Sequence, residues 1–540
     1  MSASRADRVP GSPAATEMYD VAIVGYGPTG MMLAALLGRQ GHRVIVFDKH
    51  RGLYNLPRAA CFDDEIMRTF QKLSLVDAVL PGVVVQTEYE WVNAVGETLL
   101  EVTYDNPARG GWAALYMMYQ PHIETVLDRL CQSLPTVEVR QGLVVDGLQI
   151  TDGEVTITAD DRDGGRHNVL ARYLVGADGG DSFVRPALDI EFSDYHFQEN
   201  WLVCDFRKRR ALPSVPTFRQ VCDPAQPVSI VRIGPEHQRF SFMLEPDETG
   251  TRATDEGRVW QRVARYLTRD DAELVRVANY MFRSRIADRW RDGPVMLAGD
   301  AAHEMPPFLG QGMCSGMRDG HNLAWKLHLV LTGQAEPGVL DTYQPEREPH
   351  VRFITEKAIE LGRVQTLRDP ELARERDEDF LAQRRAQRAP DKILLPGLTE
   401  GLVAPTTPDA GAVFPQGRVG QTGGDPVLFD DALGAGLTIL SRSAEVLAVL
   451  SAEQLERWAE LGGGVALIRP PADGNVTGTW PIQLTDVDGM YDAWFDAHGC
   501  EAVIVRPDWY LYGSATTGPA LRALVQSFEN ALHPSRAAAK

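Results

Sequence analysis

The stretch Asp20-Val-Ala-Ile-Val-Gly25-Tyr-Gly27-Pro-Thr-Gly30 decides the fold of this chain. Its opening residues make a short apolar strand of the kind buried in parallel sheets. Gly25 supplies a tight turn, Gly27 lets the backbone approach a pyrophosphate, and Gly30 permits close helix–strand packing. The run Met31-Met-Leu-Ala-Ala-Leu-Leu37 then reads as a helix ending at Gly41, and Arg43-Val-Ile-Val-Phe47 as a second strand. Unpaired N–H groups and the dipole at the helix start favour an anion. Asp48, closing the second strand, stands where it can accept ribose hydroxyls. This is a βαβ dinucleotide-binding unit.

Its completion lies far along the chain. The strand Val295-Met-Leu-Ala298 runs into Gly299-Asp300-Ala-Ala-His303, whose Asp300 can bond a ribityl hydroxyl of a flavin. Pro306-Pro-Phe-Leu-Gly310-Gln-Gly312 then enters a helix from about Met313 to Leu331, and that helix start can face a flavin ring and stabilise negative charge on it. Gly176-Ala-Asp178-Gly179-Gly180 closes another strand, with a plain turn as the lesser reading when it is taken alone.

Outward from these motifs the chain divides as follows: a disordered N-terminal segment 1–18; a first part of the FAD-binding domain, 19–191; a substrate-binding antiparallel sheet, 192–285; a second part with helices, 286–383; a linker, 384–407; and a small α/β domain, 408–540. Further strands are expected at Val137–Arg140, Glu154–Thr158 and Tyr173–Ala177, and further helix from Leu340 to Leu381. The fold class expected is α/β, Rossmann-like, with an inserted antiparallel β-sheet domain and a small C-terminal α/β domain.

At 540 residues two or three domains are expected. A formal net charge of −20 argues against a nucleic-acid partner, because phosphate binding needs clustered Lys and Arg. Six scattered cysteines lack metal-ligand or CxxC spacing and read as buried thiols of a reducing compartment. The polar N-terminus lacks the apolar core of a signal peptide, and no apolar run approaches a membrane span. A cytoplasmic enzyme with no membrane partner is expected; a homodimer is left open.

Taken together, the GxGxxG turn, Asp178-Gly179, Gly299-Asp300-Ala-Ala-His303, Gly310-Gln-Gly312 and Arg318-Asp319-Gly-His-Asn322-Leu-Ala-Trp-Lys326 resemble the single-component flavoprotein aromatic hydroxylases, the group that includes para-hydroxybenzoate hydroxylase. Pro57-Arg58-Ala59, Asp63-Asp64-Glu65, Gln120-Pro-His-Ile-Glu124 and Cys222-Asp-Pro224 are most similar to the 3-(3-hydroxyphenyl)propionate hydroxylase branch. The resemblance covers residues 18–365. The last domain resembles the thioredoxin-like appendage of phenol and polyketide hydroxylases, with Ser441-Arg-Ser443 where a redox CxxC would sit, so a structural role is expected. Two departures stand out: Asp48 where many relatives carry Glu, and Cys61 where the closest branch carries glycine.

The resemblance implies FAD held by Gly25, Gly27 and Gly30, with Asp48 on the adenosine ribose, Arg58 and Gln120 on the phosphates or ribityl chain, Asp300 on the ribityl chain, and Gly310, Gly312 and Met313 at the flavin ring. Asp178 would serve the loop that a nicotinamide cofactor approaches. It further implies that NADH or NADPH reduces FAD, that O2 then gives a flavin C4a-hydroperoxide, and that the distal oxygen passes to a small phenolic substrate. Water must be excluded, or the oxidant decays to H2O2, and loss of the phenol proton makes the ring a better nucleophile.

His303 is the candidate for assisting that proton transfer, with a packed, loop-holding histidine as the other reading. Tyr116, Tyr119 and His196 are further candidates, and Arg232 or Arg239 could pair with a substrate carboxylate. A 3-(3-hydroxyphenyl)propionate-like or other small phenol leads the substrate reading. A tailoring hydroxylase of a polycyclic natural product, or an antibiotic-modifying monooxygenase, stays open. From another class come a flavin reductase or dehydrogenase that does not use O2 productively, and a flavin-binding interaction protein. Flavin-dependent halogenation lacks its Trp-x-Trp-x-Ile-Pro signature.

Overall fold

The computed structural model describes residues 18–540 apart from 162–163, 246–247, 249–252, 391–392, 422–424, 471–481, 534 and 536–540. The segment expected to be disordered, 1–18, lies outside the described residues but for its last position.

Strand β1 (Met18–Val24) sits at the middle of the first sheet. It pairs in parallel with β2 (Val44–Asp48) on one side and with Arg166–Gly176 on the other. Between β1 and β2 runs helix α1 (Pro28–Arg39). Its residues from Gly30 to Gly38 are all buried, as an all-apolar helix requires. Val295–Leu297 pairs in parallel with Arg166–Gly176, with Gly176 opposite Leu297, so the sheet begun at the N-terminus is completed by the distant Gly-Asp motif. The two glycine-rich turns therefore leave the same edge of one sheet, where ligands of open α/β sheets bind.

A small antiparallel sheet joins β3 (Cys61–Asp63) to Leu115–Met118, and β3 runs directly into helix α2 (Asp64–Lys72). Asp63 is the N-cap of α2, accepting the Ile66 N–H.

Among the described residues, the inserted sheet has seven strands in the order Ala272–Phe282, Glu199–Lys208, His237–Met243, Val228–Ile233, Phe218–Val221, Glu88–Val92, Thr98–Thr103. The last two lie outside the expected 192–285 boundary. Glu88–Val92 pairs in parallel with Phe218–Val221. A strand whose partner lies so far along the chain carries no local mark of its sheet.

Helix α3 (Gly312–Leu331) crosses behind the glycine turns, followed by α4 (Tyr343–Gln365) and by Pro370–Arg385. The helical stretch expected from Leu340 to Leu381 is thus broken. Asp369 caps the later piece through the Glu371 and Leu372 N–H groups, and Pro370 occupies its first turn.

The expected linker is pinned rather than loose. Leu398, Leu402 and Ala404 are buried, and the Leu402 N–H donates to Glu346 on α4 at 2.7 Å. The C-terminal sheet is ordered Val427–Leu428, Arg418–Gly420, Ile482–Asp486, Gly464–Arg469, Thr438–Ser441, Ala502–Val505, Leu511–Ala515. A parallel run of three strands meets an antiparallel hairpin, and helix Gly518–Leu532 closes it. Ser441-Arg-Ser443 lies in the turn after Thr438–Ser441; Ser441 bonds the Glu501 carbonyl and Arg442 pairs with Asp496 and Glu501.

Candidate active site

The three glycines of the first turn differ in what demands them. Gly25 has φ 105°, and a Cβ there would lie 2.2 Å from the Ala177 carbonyl oxygen. A Cβ on Gly30 would lie 2.1 Å from the Gly25 carbonyl oxygen. Those two serve backbone packing. Around Gly27 the protein leaves room: the nearest atom to an added Cβ is Nη2 of Arg58, at 3.8 Å. Gly27 is also the N-cap of α1, with no capping side chain and no acidic residue in the first turn. Open backbone amides and an arginine thus face one vacant approach, an arrangement that fits a pyrophosphate.

Arg58 is held for that position. Its guanidinium bonds Glu124 at 3.2 Å and lies over the Tyr54 ring, with nearly half of its side chain exposed. Asp48 accepts the Tyr26 and His50 N–H groups, each at 2.8 Å, and remains partly exposed. An ionised carboxylate keeps further acceptor capacity for a ribose hydroxyl.

Asp300 follows Gly299 in a short 3-10 turn and opens to the surface. The turn is anchored from below by Asp319 of α3. That carboxylate accepts the Gly299 N–H at 3.0 Å and Arg347 Nε at 2.9 Å, and it pairs with His303 Nε2 at 2.6 Å.

Gly310 has φ 65°, a left-handed conformation that favours glycine, and a Cβ there would lie 2.6 Å from Cys61 Sγ. Gly312 begins α3, whose N-terminus again has no side-chain cap, and Met313 packs partly buried against the core. Asp300 and the uncapped end of α1 sit on the two glycine-rich turns that leave one sheet edge, with Arg58 beside Gly27 and with Asp319 of α3 holding Gly299.

Gln120 and Asp178 both make hydrogen bonds within the chain. Gln120 is buried, and its Oε1 accepts the Arg58 and Ala59 N–H groups at 3.0 and 2.6 Å while its amide donates to Glu124. It sets the Arg58 segment. Asp178 accepts the Phe183 and Val184 N–H groups at 2.7 and 3.1 Å through one carboxylate oxygen, capping its own turn.

His303, the expected proton-transfer residue, is fully buried against Trp290 and bound to Asp319. Its surroundings are those of the loop-holding histidine. Tyr116 takes the Ala113 N–H and stacks on Phe62, Tyr119 stacks on His237 at 3.9 Å, and His196 points to solvent.

Both candidate arginines already hold groups of the chain. Arg239 grips both oxygens of Asp205, at 2.6 and 3.1 Å, and donates to the Arg58 and Pro57 carbonyls. Arg276 joins it on Asp205 and Pro57. Arg232 bonds the carbonyls of Gly234 and Pro235. The sheet thereby clamps the segment that carries Arg58. Sequence alone could not mark this, since Asp205 meets Arg239 and Arg276 only as cross-strand neighbours.

What stands beside the Gly310 loop is apolar. Cys61, Leu115, Met117, Val231 and Ile233 form a buried cluster, with Ala60, Tyr104 and Phe218 packed on it. Cys61 joins it to the loop, its Sγ 3.8 Å from the Gly310 carbonyl oxygen. Burial pushes that thiol up to about 12, with Asp63 adding and Arg239 opposing, so it is neutral at ordinary pH.

A family model described as FAD binding domain matches residues 18–358, and one described as HcaD C-terminal domain matches residues 411–531. A relative from Rhodococcus jostii (strain RHA1), named probable NADH-specific resorcinol 4-hydroxylase, is 51% identical over 524 residues, 96% of each chain. A 3-(3-hydroxy-phenyl)propionate/3-hydroxycinnamic acid hydroxylase of Mycolicibacterium gilvum (strain PYR-GCK) is 35% identical, covering 91% of this chain and 88% of that one. Among solved structures, the flavin-dependent monooxygenase PieE in complex with FAD and substrate aligns with a TM-score of 0.78 at 23% identity, over 96% of this chain and 100% of that chain. Aklavinone-11 hydroxylase with FAD and aklavinone aligns with a TM-score of 0.75 at 25% identity, over 95% and 99%.

Proposed function

This chain belongs to the family of FAD-dependent aromatic hydroxylases defined by that FAD binding domain, and from that membership we propose that it hydroxylates a small, uncharged phenol of the resorcinol type, with NADH as electron donor. The observation that carries the substrate reading is the apolar cluster at the Gly310 loop, together with the engagement of Arg232 and Arg239 by carbonyls and Asp205. A carboxylate-bearing phenol such as a hydroxyphenylpropionate needs a cation or several donors where its acid group lands. A neutral diphenol needs only apolar contact and a few hydrogen bonds. The name of the Rhodococcus jostii relative supports the same substrate class and the same donor.

FAD, when bound, accepts electrons from the nicotinamide donor and activates O2 for transfer to the ring. The rest is done by this chain. Gly27, the α1 N-terminus and Arg58 would hold the pyrophosphate, Asp48 the ribose and Asp300 the ribityl chain. The uncapped start of α3 at Gly312 would stabilise negative charge on the reduced ring. The cluster around Cys61 would keep water from the reacting atoms, so that oxygen goes to the phenol and not to H2O2. Six buried, unpaired cysteines support a cytoplasmic setting.

The test is NADH and NADPH oxidation by the purified protein with resorcinol, 3-(3-hydroxyphenyl)propionate and a polycyclic phenol, recording product mass and H2O2. Resorcinol-stimulated NADH oxidation with gain of one oxygen is expected. Coupled turnover of the propionate in preference to resorcinol would overturn the neutral-phenol reading. Oxidation without any oxygenated product would favour a reductase.

A further inference from the structure

We propose that Arg318 is a positioning residue that staples the Gly310-Gln311-Gly312 turn to strand β3 and so fixes the flavin-facing start of α3; this rests on the reading of that turn as the flavin loop. Arg318 lies in the second turn of α3 with its side chain only 6% exposed. All three of its nitrogens are engaged. Nε donates to Glu65 Oε2 at 2.7 Å, Nη2 to Asp63, and Nη1 to Gln311 Oε1 at 3.0 Å. A planar guanidinium can meet three acceptors in fixed directions; a lysine ammonium on its flexible stem cannot reproduce that fork.

The geometry is closed on itself. Strand β3 touches the turn at one end through Cys61, whose sulfur packs against Gly310, and at the other through Asp63, Arg318 and Gln311. Asp63 is itself fixed as the cap of α2. Burial opposes ionisation of Glu65, but Arg318 and Arg109 together hold its carboxyl below the ordinary value, so the clamp is charged on both sides. The turn it restrains contains a left-handed glycine and begins a helix without a capping side chain, so few local interactions fix it. A displacement of about 1 Å at a reacting group costs roughly a hundredfold in rate, which gives such a staple its effect.

The experiment compares Arg318→Lys, Gln311→Leu and the double variant with the parent protein. Three quantities are read: the FAD dissociation constant by titration of the apoprotein, the flavin midpoint potential, and product formed per NADH consumed. Thermal unfolding of the apoproteins reports folding. Each single variant should weaken FAD roughly tenfold, the worth of one charge-assisted hydrogen bond, and divert severalfold more NADH to H2O2. Because both act through one contact, the double variant should be no worse than the worse single one. Wild-type affinity, potential and product yield in both folded single variants would overturn the proposal, as would strictly additive losses. If Arg318→Lys does not fold, Gln311→Leu, which leaves the Arg318–Asp63–Glu65 pairing intact, decides alone. Failure of the parent protein to bind FAD would instead sink the functional reading beneath it.

Discussion

At the scale of single residues, the Gly25, Gly27 and Gly30 turn separates folding from binding. Gly30→Ala drives a methyl group onto the Gly25 carbonyl, and overpacking of this kind costs about 1–3 kcal/mol; a lower urea midpoint should report it. Gly27→Glu meets no backbone, so the apoprotein should melt within a few degrees of the parent, yet it should fail to retain FAD because its carboxylate takes the pyrophosphate's place. A variant that stays fully yellow would refute the cofactor assignment to this turn. Asp64 gives a pH prediction. Burial, then Asp63 and Glu65, push its carboxyl up to about 7, against the Gly110 N–H and Arg109. Its folded value lies above its unfolded one, so its contribution is fully present below pH 3.8 and is lost as pH rises to about 7. Asp64→Asn should therefore flatten the fall in stability across that window, measured by urea unfolding at successive pH values.

At the scale of elements, α3 is the organising piece, because its first turns serve both glycine-rich motifs at once. Asp319 receives Gly299 and His303 from one segment and Arg347 from another. Asp319→Ala strands a buried arginine and should cost about 3–5 kcal/mol of unfolding free energy, with FAD affinity falling alongside as the Asp300 turn loosens. The βαβ unit and α3 were legible from apolar runs and glycine spacing, since both are local signals. The break between α4 and Pro370–Arg385 was marked by Asp369-Pro370, a capping signal that helical periodicity alone overrides. The enrolment of Glu88–Val92 and Thr98–Thr103 in the substrate sheet had no such mark, because pairing partners are a property of topology.

At the scale of the whole molecule, the C-terminal domain is bound through buried charge. Arg68 on α2 holds both oxygens of Asp430, at 2.6 and 2.8 Å, with side chains 0% and 4% exposed. Arg506 pairs with Glu346 of α4, while Asp508 accepts Asn322 and Trp325 of α3, each at 3.0 Å. The helix that starts at the Gly310 turn is thus gripped further along by the appended domain. Removing one member of such a pair leaves the other buried and unpaired. Arg68→Met should therefore cost about 3–5 kcal/mol, and calorimetry should show the C-terminal domain melting ahead of the rest. A single cooperative transition at the parent temperature would show that this contact does not carry the docking.

Sequence by itself determined the nucleotide fold, its cofactor class and the positions of Gly25, Gly27, Gly30, Asp48 and the Gly299-Asp300 motif. Those depend on backbone turns and short-range periodicity, which neighbouring residues encode. Only the tertiary structure decided that Gln120 and Asp178 bond backbone N–H groups, that His303 is bound to Asp319, and that Arg232 and Arg239 engage carbonyls and Asp205. Whether a polar side chain is free for a ligand is set by which distant groups reach it first, and that is a property of packing in three dimensions.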